Sequence, residues 1–348
     1  MRILTGDTPT GQLHLGHWVG SVKRRTELQS KNECYFLIAN LHAFTTRAQD
    51  AQSIYNDCIE ITKDYLAMGI NPEQVSIVIQ SEIPALSELT YIFAMLLPFN
   101  RVMRNPTLKE ELKIKNLGEN YSFGFPLYAV GQTADILAFK AHSVPVGEDQ
   151  IPHLELTREV ARKFNKMYCG VNEDTPDEDH ELAGGIFPIP TADIGKTGRL
   201  IGIDGKEKMS KSLGNAIFIT DNFKQIKKKV GQIYTGRQSM TEHGDINNSL
   251  FQYVRTFIKN KELIKELEDK YKNGKNIGDG HVKEEVAKAI NDLILPMRER
   301  RKIWDSKEKE IRDILHEGIK KANRVCENTL SCAKDAAKIK FVSRKLTF

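Results

Sequence analysis

This chain has few cysteines and no long apolar run. Its 348 residues include five cysteines, an odd number with no Cys-x-x-Cys pair, so the sequence indicates neither a disulfide framework nor a zinc or iron–sulfur site. No run reaches the roughly 20 apolar residues that span a bilayer, and Met1 leads directly into a strand-like run instead of a signal peptide. We therefore expect no bound metal centre, no contact with a membrane and a cytoplasmic location.

What the chain does contain is enough apolar sequence for a sizeable core, and an uneven distribution of charge. Hydrophobic residues make up 40% of it and charged residues 28%, which predicts about two domains. Residues 1–220 contain 22 Lys and Arg against 27 Asp and Glu, whereas residues 221–348 contain 29 against 19. The basic part is a candidate RNA surface, although lysine runs also mark solvated helix faces. Its clusters are Lys224, Lys227, Lys228 and Lys229, and then Arg298, Arg300, Arg301 and Lys302.

The two parts also differ in their apolar periodicity. In the first, strand-like runs alternate with longer helical patterns, which is typical of βαβ units. Strands are predicted at 3–5, 35–39, 75–80 and 143–146, and helices at 51–68, 86–97 and 152–165. Helices alone are predicted in the second part, at 251–257, 261–271, 282–295 and 308–329, with Pro296 as a break. The fold class is therefore α/β: a Rossmann-like parallel sheet in residues 1–220, followed by an all-helical domain in residues 221–348.

A first motif, His14-Leu15-Gly16-His17, follows the first strand and a turn-rich stretch, and it precedes a helix predicted over 20–29. Backbone amides at the start of a helix have no internal partner, so they favour an anion such as a triphosphate. The two imidazoles add donors to the same anion, and Gly16 leaves room for a flat base against the main chain. The motif therefore predicts a nucleotide-phosphate site.

A second motif, Lys208-Met209-Ser210-Lys211-Ser212, lies in a loop bounded by glycines at 205 and 214. Two lysines three residues apart around a small serine can close over phosphates. Alone, each motif is a common accident, but both occur here in this order. The pair resembles the signature of class I aminoacyl-tRNA synthetases, enzymes that activate an amino acid with ATP on a Rossmann-like sheet and load it on tRNA.

The distance between the two motifs narrows the choice of the amino acid that is the substrate. About 190 residues separate them, too few for an independent editing domain. Editing serves small aliphatic substrates, because one methylene is worth only about 1–3 kcal/mol of discrimination; a bulky aromatic substrate needs none. The segment from Tyr128 to Ala161 then resembles the tryptophanyl-tRNA synthetases in particular, and the likeness runs from Ile3 to about Leu330.

Two polar residues in that segment face the same way. Tyr128 and Asp135 are seven residues apart, which places them on one helix face. A buried carboxylate is costly unless it accepts a hydrogen bond, and the resemblance implies that Asp135 accepts one from the indole N–H, with Tyr128 and Gln150 near the substrate ammonium. The alternative is that Asp135 is a surface residue. The implied tryptophan site is Leu4, Tyr128, Gln132, Asp135, Val144, Val146 and Gln150, of which the leucine and valines are equally explained as ordinary strand core.

The ATP site is expected at the end of the fourth strand. Gly147-Glu148-Asp149-Gln150 follows that strand, and open α/β sheets bind ligands outside the carboxyl ends of their strands. The resemblance implies that the Gly147 backbone and the Asp149 carboxylate meet the ribose, although such a turn alone is more often a helix cap. The implied ATP site is Thr8, Pro9, Thr10, Gly16, His17, Gly147, Glu148, Asp149, Leu200, Lys208, Met209, Ser210, Lys211 and Ser212, and the implied catalytic residues are His14, His17, Lys208 and Lys211.

The resemblance implies a tryptophan–tRNA ligase with L-tryptophan, ATP, Mg²⁺ and tRNA(Trp) as its partners. It also implies a homodimer, which we expect to use the apolar helix 86–97. Residues 221–348 are expected to bind the tRNA anticodon.

Three positions depart from the common family pattern. Thr8 stands where many relatives have Gln or Arg, and Leu4 and Gln132 replace a Phe and a Met of the pocket. His42 matches a family position near the active site but is equally explained as structural. The sequence does not decide which of the lysines at 109, 113 and 115, if any, corresponds to the family's mobile phosphate-binding lysine.

Three other functions compete with this one. A tyrosyl-tRNA synthetase would share the fold and the Tyr–Asp pair, but Asp135-Ile-Leu followed by Val144-Pro-Val-Gly is the tryptophan-type arrangement. A small-molecule nucleotidyltransferase would have the first motif without the second motif or the basic helical part. A catalytically inactive, RNA-binding paralogue is disfavoured because every motif residue is intact.

Overall fold

A five-stranded parallel sheet forms the centre of the structure, a computed structural model that describes residues 1–114, 116–118, 120–195, 200–237 and 239–342. The strand order is β3-β2-β1-β4-β5, and all paired neighbours run parallel. The strands are β1 Arg2–Asp7, β2 Glu33–Ile38, β3 Val75–Ile79, β4 Ser143–Val146 and β5 Thr191–Ile194. The sheet confirms the predicted α/β class, and the first four strands confirm the four predicted ones.

The order of the strands places a binding crevice beside β1. The chain moves outward from β1 through β2 to β3, and then returns to the other side of β1 with β4 and β5. At such a reversal the connections leave on opposite faces of the sheet, so a cleft opens at the carboxyl ends of the two central strands. The turn after Asp7 and the Gly147 segment after β4 both lie at this edge.

The first helical segment begins earlier than the sequence predicted. It comprises α1 Leu15–His17, a π-helical turn Trp18–Val22 and α2 Lys23–Leu28, so the helix starts at Leu15 and not at residue 20. His14 is its N-cap, because the ring accepts a hydrogen bond from the Gly16 amide. The prediction missed this start because a histidine is not a common capping residue.

In the described residues of the first part, seven further helices flank the sheet. They are α3 Asn40–Arg47, α4 Ala51–Met68, α5 Pro84–Ala94, α6 Phe99–Met103, α7 Pro106–Ile114, α8 Gly124–Ala138 and α9 Ile151–Cys169, with short 3₁₀ turns at Gln80–Glu82, Glu148–Gln150 and Asp177–Asp179. The bounds of α4 are those predicted.

Five helices make up most of the second part: α10 Phe223–Gly231, α11 Ser249–Phe257, α12 Lys261–Lys272, α13 Asp279–Asp305 and α14 Glu308–Ala336. The predicted break at Pro296 is wrong, since α13 continues through it. Ile294 and Met297, on either side of the proline, are both buried. Their packing offsets the one hydrogen bond that proline removes from a helix.

Helix α14 returns to the sheet and packs against β3. A Cβ added at Gly318 would lie 2.1 Å from the carbonyl oxygen of Ile77, so only glycine allows this approach. Cys326 and Leu330 join the apolar core that also contains Leu37. The division of the chain at residue 220 stays a prediction. Among the described residues, none of the helices is long and apolar enough to span a bilayer.

Candidate active site

One large cavity opens at the carboxyl ends of β1 and β4, with a volume of about 1320 Å³. All the residues predicted for the tryptophan and ATP sites line it except Pro9. Pro9 is buried, and its carbonyl accepts a hydrogen bond of 2.8 Å from the Arg47 guanidinium. The sequence prediction therefore brought together residues from four separate stretches of chain that the fold does place around one space.

The two histidines of the first motif are held as neutral donors. The Gly16 amide donates to Nδ1 of His14 at 3.1 Å, and the His14 amide donates to Nδ1 of His17 at 3.2 Å. Burial lowers the pKa of His14 to about 3 and also lowers that of His17, against the pull of the Asp7 carboxylate. Because each Nδ1 accepts, the ring proton is on Nε2. Both rings thus meet the cavity with an N–H group.

The second motif lies directly against the first. A Cβ at Gly16 would be 2.9 Å from the His14 ring and 3.2 Å from Cβ of Met209, so glycine is required where the motifs meet. The Lys211 ammonium lies 3.3 Å from the carbonyl oxygen of Thr10, on the turn that precedes the histidines. Asn215 orients the loop, accepting from the Ser210 amide at 2.7 Å. The sequence analysis missed this asparagine.

A buried charge network below the cavity fixes the end of β1. The Arg25 guanidinium is 3% exposed and donates to both carboxylate oxygens of Asp7, at 2.5 and 3.1 Å. The Tyr65 hydroxyl also donates to Asp7. Burial alone would raise the pKa of Asp7, but Arg25 and Tyr65 hold it below its ordinary value. No local sequence pattern pointed to this network, because its members are 18 and 58 positions from Asp7.

The other end of the cavity contains the carboxylate of Asp135. It is 3% exposed, so the alternative of a surface residue is wrong. The Gln80 amide nitrogen is 2.9 and 2.8 Å from its two oxygens, and Nε2 of His42 lies 3.4 Å away. Burial raises the pKa of Asp135 to about 7, against the effect of the Gln80 hydrogen bond. A carboxylate so placed needs a further donor when it is charged.

Gln80 is the most important residue that the sequence analysis missed at this end. Its carbonyl oxygen accepts from the amides of Leu41 and His42, at 3.1 and 3.3 Å. This fixes the orientation of the side-chain amide, so that its nitrogen faces Asp135. The sequence did contain a sign of its role, because Gln80 is a polar residue at the last position of the predicted apolar strand 75–80. His42 lies beside Asp135, which accords with both interpretations of that histidine.

Polar groups of α8, α9 and the turn between β4 and α9 also line the cavity. The Tyr128 hydroxyl is 3.4 Å from Nε2 of His153, and the Gln132 amide donates to Oε1 of Gln150 at 3.3 Å. Burial lowers the pKa of His153 to about 4, and burial with the nearby Glu111 carboxylate raises that of Tyr128. These groups supply neutral hydrogen-bond donors and acceptors to the cavity that also contains Asp135. Leu4 and Val144 are buried and Val146 is half-buried in the wall.

The segment after β4 folds back over its own glycine. A Cβ at Gly147 would lie 2.8 Å from Oδ1 of Asp149, so the absence of a side chain lets the carboxylate approach the backbone. The Thr107 hydroxyl donates to the Asp149 carbonyl at 2.7 Å and anchors the turn. Helix α9 starts at Ile151, one residue before the predicted start. This arrangement presents a backbone amide and a carboxylate at the edge of the cavity.

Within the predicted basic cluster at 298–302, Arg301 is an internal ion-pair partner and not a phosphate contact. Arg301 is 3% exposed and ion-paired with Asp64 at 2.7 Å. Arg298 and Arg300 donate to the carbonyls of Asp221 and Ala67, at 2.6 and 2.7 Å. Burial against the first part of the chain, which the sequence could not show, commits the Arg301 guanidinium to internal contacts, whereas Arg298 and Arg300 are half-buried and Lys302 is exposed.

Similar proteins identify the family to which this geometry belongs. The family of class I tRNA synthetases for tryptophan and tyrosine (W and Y) matches residues 1–294. The tryptophan–tRNA ligase of Clostridium longisporum is 41% identical over 344 residues, covering 97% of each chain. That of Treponema pallidum is 39% identical over 341 residues, covering 97% of this chain and 96% of its own. The chain belongs to the tryptophanyl-tRNA synthetase family.

A solved structure agrees with the family. The crystal structure of tryptophanyl-tRNA synthetase from Campylobacter jejuni, complexed with ADP and tryptophan, matches with a TM-score of 0.82 and 30% identity, over 97% of this chain and 100% of that one. The tyrosine-specific and nucleotidyltransferase alternatives are therefore disfavoured. Membership covers both the catalytic sheet and the helical part that follows it.

Proposed function

We propose that the chain catalyses ATP-dependent activation of L-tryptophan and its transfer to tRNA(Trp), in the cytoplasm, where translation consumes the product. The observation that supports this best is the cavity with two unlike ends. At one end lie the neutral histidines 14 and 17 with the lysine loop, and at the other end lies the buried Asp135. An anionic triphosphate fits the first end, and an apolar ring with one N–H donor fits the second.

In the proposed reaction the tryptophan carboxylate attacks the α-phosphorus of ATP, and pyrophosphate leaves. The protein performs little covalent chemistry, so positioning and stabilisation of phosphate charge supply the rate. The Nε2–H groups of His14 and His17 donate to the triphosphate. Lys208 and Lys211, both exposed on the loop, compensate the charge that develops on pyrophosphate. A ribose hydroxyl of the terminal adenosine of the tRNA then attacks the carbonyl of tryptophanyl-adenylate, the acyl–phosphate bond breaks, and AMP leaves.

The remaining predicted residues surround the nucleoside. A Cβ added at Gly16 would lie 3.2 Å from Cβ of Met209, so the absence of a side chain at Gly16 leaves space for adenine, with Leu200 on the same cavity wall. The Gly147 backbone and the Asp149 carboxylate face the ribose, and Glu148 adjoins them. Thr8, Thr10, Ser210 and Ser212 provide short polar groups along the phosphates. Thr8 is too short to replace the long side chain common at its position.

Magnesium is proposed to enter on the nucleotide. Among the described residues, no group of three or more His, Cys, Asp or Glu side chains could hold a metal ion. The side chains proposed at the phosphate end are His, Lys and the hydroxyls of Thr and Ser, whereas Mg²⁺ prefers carboxylate and phosphate oxygens and keeps several waters. The phosphate oxygens would therefore be its main ligands, and bound there it would offset the negative charge of the triphosphate.

The proposed function is tested by ATP–pyrophosphate exchange with each of the twenty amino acids in turn. Exchange should depend on tryptophan alone, followed by charging of tRNA(Trp) with tryptophan. Exchange that tyrosine supports and tryptophan does not would overturn the assignment. Binding of RNA without any exchange would instead favour the inactive paralogue.

The four lysines of α10, part of the proposed RNA surface, differ in their ion pairs. Lys227 pairs with Glu284 at 3.2 Å, and Lys229 pairs with Asp221 at 2.6 Å. Lys224 and Lys228 are exposed, and within the described residues neither takes part in an ion pair. These two side chains are therefore the better candidates for contact with phosphate.

We expect the K224A/K228A variant to charge tRNA more slowly, because contacts with phosphate are lost. The slope of log charging rate against log salt concentration should be shallower by about one to two units, because binding of the tRNA then releases fewer counterions. Its pyrophosphate exchange should be unchanged, since the cavity lies elsewhere. Charging at several salt concentrations measures this. The control is K31A, an exposed lysine at the amino end of β2. An unchanged rate and salt slope in K224A/K228A would remove α10 from the RNA surface.

A homodimer is proposed through the outer face of α5 and α6. Phe93 is buried, but Tyr91 is 70% exposed, Met95 66% and Phe99 61%, four residues apart along the surface. Contiguous exposed apolar side chains of this size mark an interface. We expect light scattering to give twice the chain mass for the unaltered protein and a lower mass for M95D. The control is L182D, at a residue 87% exposed elsewhere. A monomeric unaltered protein would contradict the proposal.

A further inference from the structure

Helix α13 inserts a buried arginine between the two parts of the chain. The Arg301 guanidinium is 3% exposed and donates from Nε to Oδ1 of Asp64 at 2.7 Å. It also pairs with Glu60 and Asp305. Charges removed from water are retained only with close partners, and removing one partner of such a group is strongly destabilising. Arg301 is therefore a fixed connection between α13 and α4.

Asp64 also forms a hydrogen bond with the peptide that precedes the first motif. It is fully buried, and its second oxygen, Oδ2, accepts the Leu13 amide at 2.6 Å. Leu13 immediately precedes His14, the N-cap of α1. One carboxylate thus joins Arg301 on one side to the peptide that presents the catalytic histidine on the other.

Helix α13 also contacts a second segment, residues 217–221, which lies beside His14. One turn before Arg301, the Arg298 guanidinium donates to the carbonyl of Asp221 at 2.6 Å. The Asp221 carboxylate accepts the Phe218 amide at 2.8 Å. Phe218 forms a β-bridge with His14, and the Leu15 amide donates to the Ile217 carbonyl at 2.9 Å. Segment 217–221 therefore lies beside the motif and is itself held by α13.

We propose that Arg301 is a positioning residue for adenylate formation, acting through Asp64 on the Leu13–His14 peptide, with Arg298 as the second arm of the same clamp. The proposal rests on the proposed function. The reason for an effect on rate is geometric: a displacement of about 1 Å at a catalytic group can cost about 100-fold. Without Arg301, the buried Asp64 takes up a proton or draws in water, and its bond to the Leu13 amide shifts in either case.

The test compares R301M with R300M, a matched control on the same helix. The Arg300 Nε donates to the carbonyl of Ala67 on α4 at 2.7 Å, so it crosses the same contact without touching Asp64. Both variants should unfold at a lower temperature. We expect R301M to lower kcat for tryptophan-dependent exchange at least tenfold, with KM for tryptophan within twofold. R300M should keep kcat within twofold.

Retention of tryptophan affinity separates positioning from general damage, because Asp135 and Gln80 are held by α8 and α3 and have no bond to Asp64. The R301K variant, which keeps the charge, should lose less kcat than R301M. If R301M does not fold, R301K decides: a lowered kcat in folded protein supports the proposal, and an unchanged kcat overturns it.

Equal losses of kcat in R301M and R300M would also overturn the proposal, since packing alone would explain them. D64N/R301M should recover part of the kcat that R301M loses, because a neutral amide can still accept from Leu13 without an unpaired charge. No recovery in this variant would count against action through Asp64. Exchange by the unaltered protein reports on the proposed function, whereas the ratio of R301M to R300M reports on the clamp, so the two can fail separately.

Discussion

Replacement of Lys211 by alanine is expected to slow tryptophan-dependent ATP–pyrophosphate exchange by about 100-fold or more, the usual scale for loss of one preorganised charge stabiliser. In the structure its ammonium lies 3.3 Å from the Thr10 carbonyl, on the turn before the histidines. It is thereby placed to meet phosphate oxygens as charge moves to the leaving pyrophosphate. K208A should act in the same direction. Both lysines are proposed to act chiefly in the transition state, so kcat should fall more than substrate binding.

The measurement is steady-state exchange, with the affinity for tryptophan determined separately by equilibrium binding. That affinity should stay within twofold, because the Asp135 end does not contact the loop lysines. K206A is the matched control: it removes an exposed lysine of the same loop, outside residues 208–212. A comparable loss in K206A, or a parallel loss of tryptophan binding in K211A, would show that the loop had been disrupted as a whole.

The central sheet was predictable because its inner strands are apolar runs flanked by turns. β1 and β2 are buried on both faces, as parallel strands usually are, and their sequences show it. β5 was missed for the opposite reason: its four residues, Thr191–Ile194, lie at the sheet edge and are mostly exposed. The break predicted at Pro296 failed because tertiary packing of Ile294 and Met297 outweighs a local preference.

The candidate site was predictable where its residues follow a strand or stand in a short motif. His14, Lys211 and Asp149 were found in this way. What the sequence could not show is the set of partners that orients them: Gln80 is 55 positions from Asp135, and Asp64 is 51 from Leu13. These pairs exist only because the sheet brings distant chain segments together. Arg301 is likewise an internal ion-pair partner because it is buried in the fold. The sequence alone does not distinguish it from its exposed neighbour Lys302.

Replacement of Asp135 by asparagine or alanine is expected to raise KM for tryptophan by about 10- to 100-fold, corresponding to the roughly 1–3 kcal/mol cost of an unsatisfied buried donor. KM for ATP should change little. The Asp135 carboxylate is 3% exposed and accepts hydrogen bonds from Gln80. The indole N–H of tryptophan is proposed as the further donor that satisfies the charged carboxylate. Alanine should have the larger effect, since asparagine retains one oxygen that can accept.

The same residue predicts how tryptophan use depends on pH. Burial raises the pKa of Asp135 to about 7 in the protein without substrate. The indole N–H stabilises the charged form, so bound tryptophan lowers this pKa, and protonation opposes binding. KM for tryptophan should therefore be low and constant above pH 8 and should rise as the pH falls through 7 towards 6. In D135N this rise should be absent.

Other groups that face Asp135 must be separated from it. His42 lies 3.4 Å from Oδ2, and its protonation would favour the charged carboxylate and so oppose the predicted trend. An H42N variant should therefore keep the rise in KM below pH 7. A Q80M variant removes the amide donor that holds the carboxylate charged, so its rise should begin at a higher pH. A KM for tryptophan that is flat from pH 6 to 8 in the unaltered protein, or equally pH-dependent in D135N, would exclude Asp135 as the acceptor of the indole N–H.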